Sequence, residues 1–141
     1  MSERRVPVKA NDSGHLKEVC PTVTLEAHGI VRVDFTLCDA ISLDAMHRSY
    51  AQHVALCPGR KSPVLFVGER VAAVEYKAQR FASSPEICAL TAAAALVARS
   101  FLERHLARMF LLYHRPPYPV HIFSNENEAR SWLYAFSPVL P

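Results

Sequence analysis

Hydrophobic and polar positions alternate over two neighbouring stretches near the start of the chain. In Thr22–Ala27, Val23, Leu25 and Ala27 fall on one side and Thr22, Thr24 and Glu26 on the other. In Ile30–Leu37, Val31, Val33, Phe35 and Leu37 oppose Ile30, Arg32, Asp34 and Thr36. Successive side chains of a strand point to opposite faces, so these runs around His28-Gly29 predict a β-hairpin. The period then changes. Ser42 is placed to cap a helix running to about Leu56, with Met46, Tyr50 and Val54 on one face, and Cys57-Pro58-Gly59 ends it. Pro63–Val67 is short and wholly apolar, the pattern of a strand covered on both sides.

A second helix is expected from about Arg70, because Val71, Val74, Ala78 and Phe81 share a helical face. Ser84-Pro85-Glu86 starts a short helix, with Ser as cap and Pro in the first position. Thr91–Ala98 is alanine-rich, and propensity alone would make it helical. The fresh helix start at Ser100 instead makes it a central strand whose small side chains let helices come close. Phe101–His114 carries an apolar stripe of Leu102, Leu106, Met109, Phe110 and Tyr113, with Arg104 and Arg108 on a charged face. Arg115-Pro116-Pro117 breaks it, and Val120–Phe123 is a last strand. Asn125 then caps a helix that buries Ala129, Trp132, Leu133 and Phe136. The order predicts an α/β fold: a mainly parallel sheet of about four to five strands, an antiparallel N-terminal hairpin, and helices packed on the sheet. Residues 1–20 lack periodicity and are expected to be a flexible tail, leaving 21–137 as a single domain.

Composition narrows the class. A chain of 141 residues, half of them hydrophobic, can build one core without staples. No apolar run approaches the roughly 20 residues of a membrane span, so no membrane insertion is expected. Met1–Pro7 has basic residues but no apolar segment behind them, which argues against a secretory signal and for a cytoplasmic protein. Cys20, Cys38, Cys57 and Cys88 are then expected as reduced thiols, and no pair has CxxC spacing. The net charge is +3, with Arg4, Arg5, Lys9 and Lys17 all in the expected tail. The rest is close to neutral, so no nucleic-acid partner is expected.

Catalytic chemistry finds no motif. The seven histidines show neither HxxxH nor HExxH spacing, so no metal site is expected. GxSxG, GxGxxG and GxxxxGK[ST] are absent, and neither a catalytic residue nor a cofactor is expected. Ligands of open α/β sheets bind beyond the carboxyl ends of the strands. Here those ends carry Gly68-Glu69-Arg70, Arg99-Ser100 and Ser124-Asn125. Arg70 and Arg99 beside the Ser100 helix start are candidate anion contacts. Arg104 and Arg108 are candidate contacts for an acidic partner. As a cap and solvated arginines, the same residues need no ligand.

The C-terminal half also carries a family pattern. Leu96-Val97, Ser100, Leu102, Arg104, Phe110, Pro116-Pro117-Tyr118-Pro119, Ile122-Phe123-Ser124-Asn125-Glu126, Glu128-Ala129 and Trp132-Leu133 follow one another. With Gly29–Val33, Ile41–Met46 and Pro63–Val67, they resemble the small bacterial STAS/SEC14-like (anti-sigma-factor-antagonist-like) domain proteins over about residues 22–137. The resemblance implies a non-enzymatic α/β domain that works by binding another protein. Related switches are phosphorylated on a Ser or Thr after a central strand. Here Gly68-Glu69-Arg70-Val71 offers no hydroxyl, although Ser100 holds a similar place after the next strand. The expectation is therefore a regulatory or scaffold module with a protein partner, or a second copy of itself. The alternative is a carrier of a small apolar ligand or lipid in a pocket under the Phe101–His114 helix.

Overall fold

The computed structural model describes residues 20–137. The tail expected over residues 1–20 lies outside the described residues, except for Cys20. Strand β1 (Thr22–Leu25) pairs antiparallel with β2 (Val31–Asp34), Val23 opposite Val33. The turn between them needs positive φ at His28 (65°) and Gly29 (76°), a region that glycine enters freely. After β2 come β3 (Ala40–Ile41), α1 (Leu43–Leu56), β4 (Ser62–Val67), β5 (Ala73–Val74), α2 (Tyr76–Ala82) and α3 (Pro85–Leu90). The chain continues through β6 (Thr91–Val97), α4 (Phe101–His114), β7 (Val120–Phe123) and α5 (Glu126–Leu133). Five strands form one sheet in the order β1-β2-β4-β6-β7, with every pair after the hairpin parallel. The fold is α/β, as the sequence pattern predicts.

Alternation along the central strands divides the core into two layers. Leu65 and Val67 of β4 and Ala93, Ala95 and Val97 of β6 pack with Ile30 against Ala129 and Leu133 of α5. On the other face, Val31, Val33 and Val64 pack with Phe35 against Ala45 and Met46 of α1 and Ala78 of α2. Alanine at 93 and 95 lets α5 lie close to the sheet, and each fully buried Leu or Val contributes roughly 1.5–3 kcal/mol. Helix starts follow their caps. Ser42 accepts from Ala45 N, Ser84 from Ile87 N, and Asn125 from Glu128 N.

Several details depart from the pattern. The helix expected from Arg70 begins at Tyr76. The residues before it form β5, which pairs with β3 in a small second sheet. Ala72 N donates to Asp39 O and Glu75 N to Ile41 O, so tertiary hydrogen bonds hold this stretch extended. Val71, Val74 and Phe81 still reach the core around Ala78. Helix α1 is rotated from its expected face and buries Ala45, Met46, Ser49 and His53. Leu25 and Leu37, which alternate in phase with the buried Val23 and Val33, are themselves exposed.

The expectation of four reduced thiols is corrected at one pair. Cys20 and Cys38 form a disulfide, with Cα atoms 6.2 Å apart. The hairpin register explains the proximity. Thr22 lies opposite Asp34, so the residues just before β1 face those just after β2. Cys57 is free and buried, and Cys88 is free and half-buried.

Candidate functional site

Helix α4 is strongly amphipathic in sequence, yet Glu103 is its one buried residue. Its apolar side chains are divided between two faces. The inner face lines a cavity of about 210 Å³ between the helix and the sheet. Phe66 of β4, Ala94 and Leu96 of β6 and Val120 of β7 form the floor, and Leu106, Ala107 and Phe110 of α4 form the roof. Val71, Val74 and Ala78 close one side, and Gly68, Ala98 and Glu103 line the end where β4 and β6 finish. At Gly68 a Cβ would stand 3.0 Å from Val71 Cγ2, so a larger residue would press on this wall.

The polar groups around this apolar space are few. Tyr118 donates its phenol to Ala82 O at 2.6 Å. Burial, with Cys88 nearby, raises its pKa above the ordinary value, so it remains a neutral donor. Gln79 Nε2 donates to Val74 O, and Gln79 Oε1 lies 3.0 Å from His114 Nε2. Glu103 Oε1 accepts from the backbone N–H groups of Arg99 (2.9 Å) and Ser100 (3.2 Å). Glu103 Oε2 is buried and has no hydrogen-bond partner among the described residues.

The outer face of α4 presents Phe101 (77% exposed), Leu102 (46%), Leu112 (58%) and Tyr113 (72%). At about 100° per residue these four project within roughly a third of the helix circumference. Leu102 and Tyr113, members of the apolar stripe read from the sequence, therefore lie on the open side. His105 stacks on Phe101 along the same face.

The arginines singled out in the sequence occupy different surroundings. Arg70 and Arg108 are exposed. Arg99 donates to Glu69 Oε1 at 2.8 Å and lies 3.5 Å from Glu126 Oε2, so its charge already meets two carboxylates. Arg104 turns back to the carbonyls of Arg99 (2.9 Å) and Ala98 (3.4 Å). Ser100 is the N-cap of α4, its Oγ accepting from Glu103 N. An anion at Arg99 would thus compete with the protein's own carboxylates. Among the described residues, no group of three or more His, Cys, Asp or Glu could hold a metal ion. No helix of the described residues is long and apolar enough to cross a membrane.

Sequence reasoning missed Glu103. The signal was present, because Ser100 and Glu103 have the spacing of a capping box. Such a box buries the carboxylate end against the helix start, and the sheet does the rest.

On the opposite side of the sheet, Glu126 at the start of α5 joins three arginines. Arg32 of β2 reaches both of its oxygens at 3.2 Å, Arg130 donates at 2.9 Å, and Arg99 lies nearby. Burial alone would raise the Glu126 carboxyl, but Arg32 and Arg130 outweigh it and hold the pKa below the ordinary value. Asp34 is likewise held low against burial, by Thr36 and then Arg32. Glu26 is the main reason that Arg130 is held more firmly charged. This network has the geometry of a clamp between β2 and α5.

Residues 23–137 match a family described as a domain of unknown function, DUF7793. No curated protein matches the chain. A crystal structure of a protein of unknown function from Arthrobacter sp. FB24 is 27% identical to it, covering 79% of this chain and 90% of that one with a TM-score of 0.29. The family match spans nearly all of the described residues, and the chain belongs to the DUF7793 family.

Proposed function

We propose that this domain is a non-enzymatic, STAS-like regulatory or scaffold module that binds another protein through the outer face of α4. The observation that carries this is the exposure of Phe101, Leu102, Leu112 and Tyr113 on one side of a single helix. Contiguous exposed apolar side chains mark interaction surfaces, and aromatic residues are frequent anchors of them. Arg108, exposed on α4, supplies a charge for an acidic rim. The test uses Phe101→Ser combined with Tyr113→Ser. Both positions are exposed, so thermal stability should stay near wild type. A partner recovered at stoichiometric level by the wild type should be lost by the double variant. Recovery of the same partner by both proteins would refute the assignment to α4. A second copy of the chain as partner would appear as a concentration-dependent dimer that the same substitutions abolish.

A cytoplasmic location belongs to this reading. There the Cys20–Cys38 pair would spend time as a dithiol, since reducing compartments disfavour disulfides. Rapid alkylation in freshly lysed cells, read by mass spectrometry, tests it. An alkylated pair supports the cytoplasm, and an intact bond opposes it.

A second reading, a carrier of a small apolar ligand, is favoured by the cavity beneath α4. A small molecule retained by the protein in native mass spectrometry would support it. A protein that is always recovered bare, and takes up no apolar probe, would count against it.

A further inference from the structure

We infer that the cavity under α4 is a binding site for a compact hydrocarbon of one or two rings, with no hydrogen-bonding group on the part it buries. This deepens the carrier reading and rests on it. The packing explains why the space exists. Among the described residues, neither core layer takes a side chain from α4. The helix is fixed near its two ends instead. At the first turn Glu103 Oε1 accepts from the Arg99 and Ser100 N–H groups, and at the last turn His114 meets Gln79. Between these anchors Leu106, Ala107 and Phe110 stand over Ala94, Leu96 and Val120 across about 210 Å³.

The chemistry of the wall selects the occupant. A buried water needs several polar partners, and the polar side chains at this wall are already engaged or out of reach. Tyr118 donates to Ala82 O, and Gln79 is held at both ends of its amide, by Val74 O and His114. Glu103 Oε2 is buried where nothing in the cavity reaches it. A donor brought into the space would lose its water without gaining a partner. Phe66 and Phe110, with Met46 and Met109, make the wall aromatic and polarisable, and such side chains pack well on ring faces and edges. An apolar cavity of about 150 Å³ stays dry and binds benzene, so the larger space here suits up to two rings. Val71 and Val74 on one side and Phe110 on the other are only half-buried, so the space is open to an entering molecule.

The experiment compares three probes of similar shape: naphthalene, which has no polar group, indole, which has an N–H donor, and 1-methylindole, in which that donor is blocked. Binding to the intact chain is followed by fluorescence titration and located by methyl NMR. Naphthalene and 1-methylindole should each bind about tenfold or more tightly than indole, the effect of burying a donor without a partner. Shifts should centre on the methyl groups of Leu106 and Ala107, on the inner face of α4. Ala107→Leu, which fills part of the cavity from a half-buried position, should weaken all three probes.

Indole binding in the cavity as tightly as the other two would overturn the hydrocarbon assignment while leaving a carrier site. Failure of every probe to bind, or shifts confined to Leu102 and Leu112 on the outer face, would remove the carrier reading itself. Undiminished binding by a folded Ala107→Leu variant would also overturn the site. The wild-type comparison and its NMR map decide the matter even if that variant fails to fold.

Discussion

Ser100 and Glu103 satisfy each other's backbone: Ser100 Oγ accepts the Glu103 N–H at 3.0 Å, and Glu103 Oε1 accepts the Ser100 N–H at 3.2 Å. This reciprocal pair starts α4, and α4 carries both candidate surfaces. A phosphate on Ser100 would have to break it. Ser100→Ala removes half of the box and should lower stability by about 1 kcal/mol. The measurement is thermal or urea unfolding, with hydrogen exchange on the first turn of α4. Faster exchange confined to that turn is expected, and unchanged exchange there would contradict the role of the cap.

Much of the fold was legible because local signals agree with the tertiary result. Ser42, Ser84, Ser100 and Asn125 each begin a helix where their cap chemistry places it. Thr91–Val97 is a strand despite its alanines, since β6 is paired on both sides by β4 and β7. Residues 70–75 misled because their spacing fits a helix, while hydrogen bonds to Asp39 and Ile41, over 30 residues earlier, hold them extended. The two faces of α4 were not legible for a related reason. An apolar stripe says that a side chain prefers burial, not that the protein supplies a surface to bury it. The Cys20–Cys38 bond depends on hairpin register rather than on spacing. The arginines were visible as charges, but their carboxylate partners Glu69 and Glu126 come from distant elements.

The Glu126 cluster yields a second prediction. Glu126→Gln leaves Arg32, Arg99 and Arg130 short of one negative charge, with Arg32 and Arg130 both largely shielded from solvent. The loss should be about 1.5–3 kcal/mol, the range for hydrogen bonds to charged groups. Paired substitution of Arg32 and Glu126 in a double-mutant cycle should reveal coupling between them. A cycle that closes with no coupling would show that the clamp contributes nothing.

His53 makes stability depend on pH. Its side chain is buried on α1, Nε2 has no partner among the described residues, and burial lowers its pKa from 6.5. Above 6.5 the imidazole is neutral in both the folded and unfolded chain. As the pH falls below that value, the unfolded chain gains a proton that the native state resists, so stability declines. Asp34 and Glu126 are held below their ordinary values of 3.8 and 4.5, and their stabilisation is lost only at lower pH still. His53→Leu should therefore flatten the fall of the unfolding free energy below about pH 6.5 without lowering it at neutral pH. An unchanged slope below that pH would contradict the assignment.

The disulfide gives a fourth stability test. Cys20 and Cys38 close a loop with a separation of 18 residues, for which chain-entropy arguments give about 3 kcal/mol. Reduction, or replacement of both residues by serine, should lower the melting temperature clearly. Thiol counting on the unreduced, unfolded protein should find only Cys57 and Cys88 among the described residues. Identical melting with and without reductant would show that the bond does not support the fold.

The most direct test of the binding role of α4 is site-specific photo-crosslinking in the native cell. A photoreactive phenylalanine analogue at Tyr113, on the outer face of α4, is compared with the same analogue at exposed Lys61, just before β4. One discrete adduct with another protein is expected from position 113 and none from position 61. No adduct at 113, or the same diffuse set of adducts at both positions, would contradict a docking surface on this helix.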